Sequence, residues 1–150
     1  MVRWILVLIV VLLAGFFGYV KLNSQMPEGL GVTNGQLKVC PESPNCVSTQ
    51  ADPADQEHYV EPFVYSGSRK DIQLRVEALM LEQGAKMVKN TFGYVHFEVK
   101  SDIVGYIDDV EFYFPEGDSV VHIRSASRLG YSDFAINRDR VRQIKNLLVD

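Results

Sequence analysis

The sequence predicts an α+β domain: an antiparallel sheet of about five strands, in the order β-α-β-β-β-β-α, with two helices on one face, preceded by an N-terminal transmembrane helix. Three observations carry this. Trp4 to Val20 reads WILVLIVVLLAGFFGYV, without a charge or an amide. The stretches after Ser68 and around Asn137 repeat apolar residues at helical spacing. Between Lys86 and Ala126, apolar and polar residues alternate in runs separated by short polar turns.

A helix rises about 1.5 Å per residue, so Trp4–Val20 covers roughly 25 Å of a hydrocarbon core about 30 Å thick. Val2 and Leu22 extend it, and Arg3 and Lys21 flank it. A cleaved signal peptide needs spaced small residues, and Phe16-Phe17-Gly18-Tyr19-Val20 does not supply them. A lipoprotein signal needs a cysteine directly after the run, whereas the first cysteine is Cys40. An uncleaved anchor over residues 1–22 is therefore expected. Arg3 and the short leading tail favour an inside N-terminus, and Lys21 pulls the other way. In a bacterium this is a single-pass inner-membrane protein with a periplasmic domain.

Residues 23–37 contain Pro27, Gly29, Gly31 and Asn34-Gly35, and read as a flexible tether. Residues 38–150 read as one globular domain, opened by an irregular leader over 38–61 with Pro41, Pro44 and Pro53. The 150-residue chain has 15 basic and 19 acidic residues. From Val32 onward 13 basic and 18 acidic residues remain, a net of −5. That balance argues against nucleic acid and against gripping anionic lipid by charge alone.

The elements follow in order. Pro62–Tyr65 is a short strand candidate. Ser68 caps a helix, with Asp71 three residues on; Ile72, Val76, Leu79 and Met80 form its stripe, and Gly84 ends it. Strands are expected over Lys86–Asn90, Tyr94–Lys100, Val104–Phe114 and Ser119–Ala126. Asn137 is expected to cap the last helix, with Ile136 and Val141 as a hydrophobic staple. Ile144 and Leu148 continue its buried stripe, and Arg138, Arg140, Arg142 and Lys145 lie on its wet side.

Alternation sorts each strand into two faces. Val95, Phe97 and Val99 join Val110, Phe112, Phe114, Val121 and Ile123 on the apolar one. The polar one carries His96, Glu98, Asp109, Glu111, His122 and Arg124. A turn over Pro115–Asp118 sets Phe114 opposite Ser119, hence Glu111 opposite His122 and Asp109 opposite Arg124. The expectation is a solvated face with cross-strand ion pairs. The same residues allow a second reading, a metal-dependent hydrolase with His96, Glu98, Asp109, Glu111 and His122 as ligands, or Asp109 and Glu111 as an acid–base pair. Asp108 falls out of phase, on the apolar side. It sits at a sheet end, on a bulge, or buried beside Arg128 or Ser125.

Arg124 to Arg138 is the densest run of hydrogen-bonding groups. It holds no phosphate-binding glycine pattern and no nucleophile elbow. One reading is a rigid corner in which Arg128 pairs with Asp133. The other is a recognition surface for a partner or small anion, built from Arg124, Ser125, Ser127, Arg128, Tyr131, Asp133, Asn137 and Arg138, with Asp108, Asp109 and Glu111 beside it. No catalytic residue and no cofactor is assigned. Cys40 and Cys46 enclose Pro41 and Pro44; they suit a small-loop disulfide, two free thiols, or a redox or half-metal pair.

Four ordered stretches carry a family resemblance: Cys40-Pro-Glu-Ser-Pro-Asn-Cys-Val-Ser48, Tyr94-Val-His-Phe-Glu98, Asp108-Asp-Val-Glu-Phe112, and Arg124-Ser-Ala-Ser-Arg-Leu-Gly-Tyr-Ser-Asp133 with Asn137-Arg138. From about Cys40 to the C-terminus the chain resembles the domain of unknown function 1499 family. The resemblance implies a small envelope or organelle-associated domain of bacteria and plastid-bearing organisms, with no established activity, cofactor or catalytic residue. It also makes the cysteine pair and the Arg124–Arg138 corner family motifs. The function expected is a non-enzymatic, membrane-anchored module for a protein partner or envelope assembly. The alternative to it and to the hydrolase is a carrier of lipid or another small apolar ligand, with Phe97, Phe112, Phe114 and Ile144 lining a pocket between the layers.

Overall fold

A computed structural model describes residues 2–149. Helix α1 (Val2–Asn23) is followed by β1 (Cys46–Ser48), β2 (Phe63–Val64), α2 (Arg69–Glu82), β3 (Lys86–Thr91), β4 (Tyr94–Lys100), β5 (Ile107–Tyr113), β6 (Val120–Ser127) and α3 (Ile136–Val149). The strands form one antiparallel sheet in the order β1-β6-β5-β4-β3, and β2 also pairs with β6. The leader thus contributes a strand that its composition did not reveal. Three residues are too few to display an alternation.

The apolar strand residues gather where expected. Val95, Phe97, Val110, Phe112, Phe114, Val121 and Ile123 meet Ile72, Val76 and Met80 of α2 and Val141, Ile144 and Leu148 of α3 in one core. Phe97 and Phe112 pack edge to face with ring centres 6.0 Å apart. Phe97, Phe112, Phe114 and Ile144 are each 0 % exposed. The interlayer space is filled by the side chains that were expected to line a ligand pocket.

Helix α2 starts as its sequence indicates: Ser68 Oγ accepts from the Asp71 amide at 3.1 Å. Gly84 follows its end at φ 80°, the left-handed conformation that costs glycine least. Helix α3 begins differently. Asp133 is its capping side chain, taking the Ala135 amide on Oδ1 and the Asn137 amide on Oδ2. Asn137 is itself buried, and Ile136 is 54 % exposed, so the expected Asn137 cap and Ile136 staple are not formed. Aspartate takes the cap because Phe134 and Ala135 both turn through positive φ, 55° and 66°, and aim two amides back at its carboxylate.

The β5–β6 register differs from the expectation by two residues. Glu111 lies opposite Arg124, Tyr113 opposite His122, and Asp109 opposite Ala126. The turn is longer than the four residues counted, so the strands begin to pair later. A shift of two preserves the side-chain face and changes every partner.

Candidate functional site

The polar face of the sheet is covered, not solvated. His96, Asp109, Glu111 and Arg124 are 2 %, 1 %, 0 % and 4 % exposed. The cover is the segment between α1 and β1, whose composition suggested a tether. The Gly31 amide donates to Glu111 Oε1 at 2.7 Å, Leu37 is buried, and its amide donates to Gln50 Oε1 at 2.7 Å. Ser24 is buried too, and its carbonyl accepts from Arg128 Nη1 at 3.1 Å.

Beneath this strap the charges pair with one another. Arg128 grips Asp109 through Nε and Nη2, at 2.9 and 2.7 Å, and reaches Glu98 Oε1 at 2.6 Å. His96 Nε2 sits 2.7 Å from Asp109 Oδ1. Glu111 takes Arg124 Nη1 at 3.1 Å and the Tyr94 hydroxyl at 2.8 Å. Burial alone would raise the Asp109 and Glu98 carboxyls. The Arg128 guanidinium, helped by His96 at Asp109 and by Lys86 at Glu98, overcomes that and holds both below the usual carboxylate range. The hydrogen bonds to Asp109 raise Arg128 in turn. Burial, and then the Glu111 charge, push the Tyr94 phenol well up, so it stays a neutral donor.

His122 stands apart from this network. Its ring stacks on Tyr113 at 6.1 Å, its Nδ1 lies 3.1 Å from Thr49 Oγ1, and burial lowers its pKa. Among the described residues no three His, Cys, Asp or Glu side chains converge in a way that suits a metal ion. The carboxylates of this face point instead at guanidinium groups.

A second buried polar cluster joins α3 to the sheet. Asp108 is buried and paired, with Ser127 Oγ at 2.6 Å and Arg140 Nη2 at 2.6 Å; neither Arg128 nor Ser125 is its partner. Arg140, expected on the wet side, also donates to Ser125 Oγ at 3.0 Å. Asn137 Nδ2 donates to the Asn45 carbonyl at 3.1 Å and to Ser127 Oγ at 3.0 Å. Arg138, half-buried, holds the Gln56, Glu57 and Tyr59 carbonyls at 2.8–3.0 Å.

The expected Arg128–Asp133 pair is therefore absent: Arg128 belongs to the polar face and Asp133 to the helix cap. Of the corner residues, Tyr131 and Phe134 stand well out, 76 % and 88 % exposed. The residues missed by sequence reasoning are Tyr94, Arg140, Asn45 and the strap itself. Asp108 carried the one usable signal: a carboxylate out of phase on an apolar side requires a cation from the element packed above it.

Cys40 and Cys46 form a disulfide, and Cys46 is 1 % exposed at the start of β1. It ties the strap to the sheet edge. Two clefts flank these clusters. One, of about 290 Å³, lies between the strap and the polar face, with Pro27, Lys38, Val39, Cys40, Arg124 and Arg128 in its lining. The other, of about 380 Å³, lies beside the corner, with Val99, Tyr106, Leu129, Phe134, Ile136 and Arg140 in its lining.

These features define an α+β sandwich whose charged sheet face is covered by an N-terminal strap, with a cleft left between the two. The family model described as Protein of unknown function (DUF1499) matches residues 36–148, and the chain belongs to that family. A comparison with curated proteins finds no match.

Proposed function

We propose that this chain is a single-pass, membrane-anchored, non-enzymatic binding module. Its protein partner docks on the apolar cleft beside the Arg124–Arg138 corner. Helix α1 supports the anchor: 22 residues with a mean hydropathy of 2.6 over its most apolar window. A periplasmic domain on a bacterial inner membrane is the orientation that Arg3, at the N-terminal flank of the apolar run, supports.

One observation carries the docking site. Phe134 is 88 % exposed at the cleft rim while held at positive φ, next to a second positive-φ residue, Ala135. Two consecutive left-handed non-glycine residues cost about 1–2 kcal/mol each. Strain that displays an aromatic side chain to solvent suits recognition better than stability. Tyr131 and Ile136 extend the apolar patch, and Lys100, Asp108 and Arg140 give it a polar rim, the usual anatomy of an interface. The non-enzymatic reading is supported by the buried carboxylates Asp108, Asp109 and Glu111, each of which is committed to a guanidinium partner.

The test is a photo-crosslinking amino acid at position 134 of the full chain in its native membrane, with Leu74 on α2 as the control position. A discrete protein adduct from 134 that Leu74 does not give is the expected result. Adducts to lipid alone, or identical adducts from both positions, reject the protein-partner reading.

A further inference from the structure

We infer that the cleft between the strap and the polar sheet face is a binding site for a small organic oxyanion, a carboxylate or a phosphate monoester, with Arg124 as its anchoring residue. Arg124 Nε is the one buried side-chain nitrogen or oxygen without a hydrogen-bond partner among the described residues. A buried, unpaired guanidinium N–H is expensive, and native folds leave few of them. Glu111 occupies Nη1, which leaves the Nε–Nη2 edge of the same group. That edge presents two parallel N–H donors, the geometry that carboxylates and phosphates take in bidentate fashion.

The charge on the cleft walls agrees with an anion. Lys38, Arg124 and Arg128 line the cleft against a single carboxylate, Asp109. Asp109 and Glu98 already compensate Arg128, and Glu111 shares Arg124, so the uncompensated charge at the cleft is that of Lys38. Lys38 Nζ meets only the Glu28 carbonyl, at 2.6 Å, so its charge has no carboxylate partner. Pro27, Val39, Pro41 and Ala126 supply apolar wall on either side of this basic floor. The ligand is accordingly amphiphilic and small: an oxyanion head on the guanidinium edge and a short apolar body between the prolines, in about 290 Å³. The site shares no residue with the proposed partner cleft beyond Ser127.

The full chain in detergent micelles, labelled with ¹⁵N at arginine, is titrated separately with inorganic phosphate and with butyrate, against chloride at equal ionic strength. The expected result is a saturable shift of the Arg124 Nε–H resonance with at least one of the two, and none with chloride. Saturation by phosphate alone assigns a phosphate head, and by butyrate alone a carboxylate head. Arg124→Lys keeps the charge and removes the fork, and weakens binding, read for this variant at the Arg128 Nε–H resonance of the same cleft, at least tenfold. Val39→Asp, at a position 84 % exposed on the cleft wall, leaves the core untouched and weakens it at least threefold. No saturable shift with either anion overturns the assignment. So does binding that Val39→Asp leaves unchanged.

Discussion

Arg128 and Asp109 meet edge to edge through two hydrogen bonds, Nε to Oδ2 at 2.9 Å and Nη2 to Oδ1 at 2.7 Å, with side chains 3 % and 1 % exposed. The same guanidinium reaches Glu98 and the Ser24 carbonyl. It therefore joins β4, β5, the end of β6 and the residue that follows α1.

Removing that guanidinium strands two carboxylates. Arg128→Ala is expected to destabilise the domain by about 3–5 kcal/mol, the cost of leaving buried charge unpaired. Arg128→Lys keeps a charge but loses the fork, and is expected to cost less, though still over about 1 kcal/mol. Urea unfolding of the full chain in micelles, followed by circular dichroism, measures both. A loss below about 1 kcal/mol for Arg128→Ala contradicts the pairing.

Acid should act through the same residues. The folded-state pKa values of Asp109 and Glu98 lie below their unfolded values. The unfolded state thus binds more protons, and the stability they provide is present above about pH 4–4.5. It is lost as the pH falls through the folded values. In Arg128→Ala burial is left to raise both carboxyls, so the acid loss of stability that they carry is expected to shrink or reverse. Midpoints of unfolding between pH 3 and 7 test the direction.

The pair that clamps α3 to the sheet should show coupling. Arg140→Met removes a charged hydrogen bond from Asp108 and is expected to cost about 2 kcal/mol. The double variant with Asp108→Ala should lose at least about 1 kcal/mol less than the sum of the single losses, because neither partner is then left alone. Additive losses would mean that the two side chains do not interact.

Reducing the disulfide should loosen the strap's attachment before the sheet. Cys40 and Cys46 are separated by 6 in sequence, and closing so short a loop contributes about 2 kcal/mol by chain entropy. Hydrogen exchange with and without reductant is the measurement. Faster exchange confined to the strap and β1 is the expected pattern, with β4 and β5 unchanged.

Strain at the corner gives a stabilising substitution. Ala135→Gly relieves φ 66° and is expected to add on the order of 1 kcal/mol. Phe134→Asn tolerates φ 55°, keeps the fold and removes the exposed ring, so the adduct from a photo-crosslinker placed instead at the exposed position 131 should fall while the unfolding midpoint stays level or rises. Loss of folding in Phe134→Asn would make that ring structural.

Much of the fold was legible because it is local. Hydrophobic length marks α1, period 3.6 marks the helix stripes, and period 2 divides Val95, Phe97, Val110 and Phe112 from His96, Glu98, Asp109 and Glu111. The candidate site was legible only as a set of residues. The polar face was identified, yet it was expected to be wet, because nothing local shows that a glycine- and proline-containing stretch will lie across it. Gly31 and Glu111 are 80 residues apart in sequence. Asn137 looked like a cap because it precedes a periodic stretch, and Asp133 displaced it through backbone turns at Phe134 and Ala135 that neither residue type favours.

The sequence by itself determined the long apolar helix, the order of elements from β2 to α3 and the face on which the strand side chains alternate, since these follow from spacing along one chain. Tertiary structure alone decided that Glu111 meets Arg124 and not His122, that Arg128 serves Asp109 and Glu98, and that a strap covers the charged face. The physical reason is that a two-residue register shift preserves alternation while exchanging every partner. Burial of a charge, moreover, is settled by whichever distant segment packs over it.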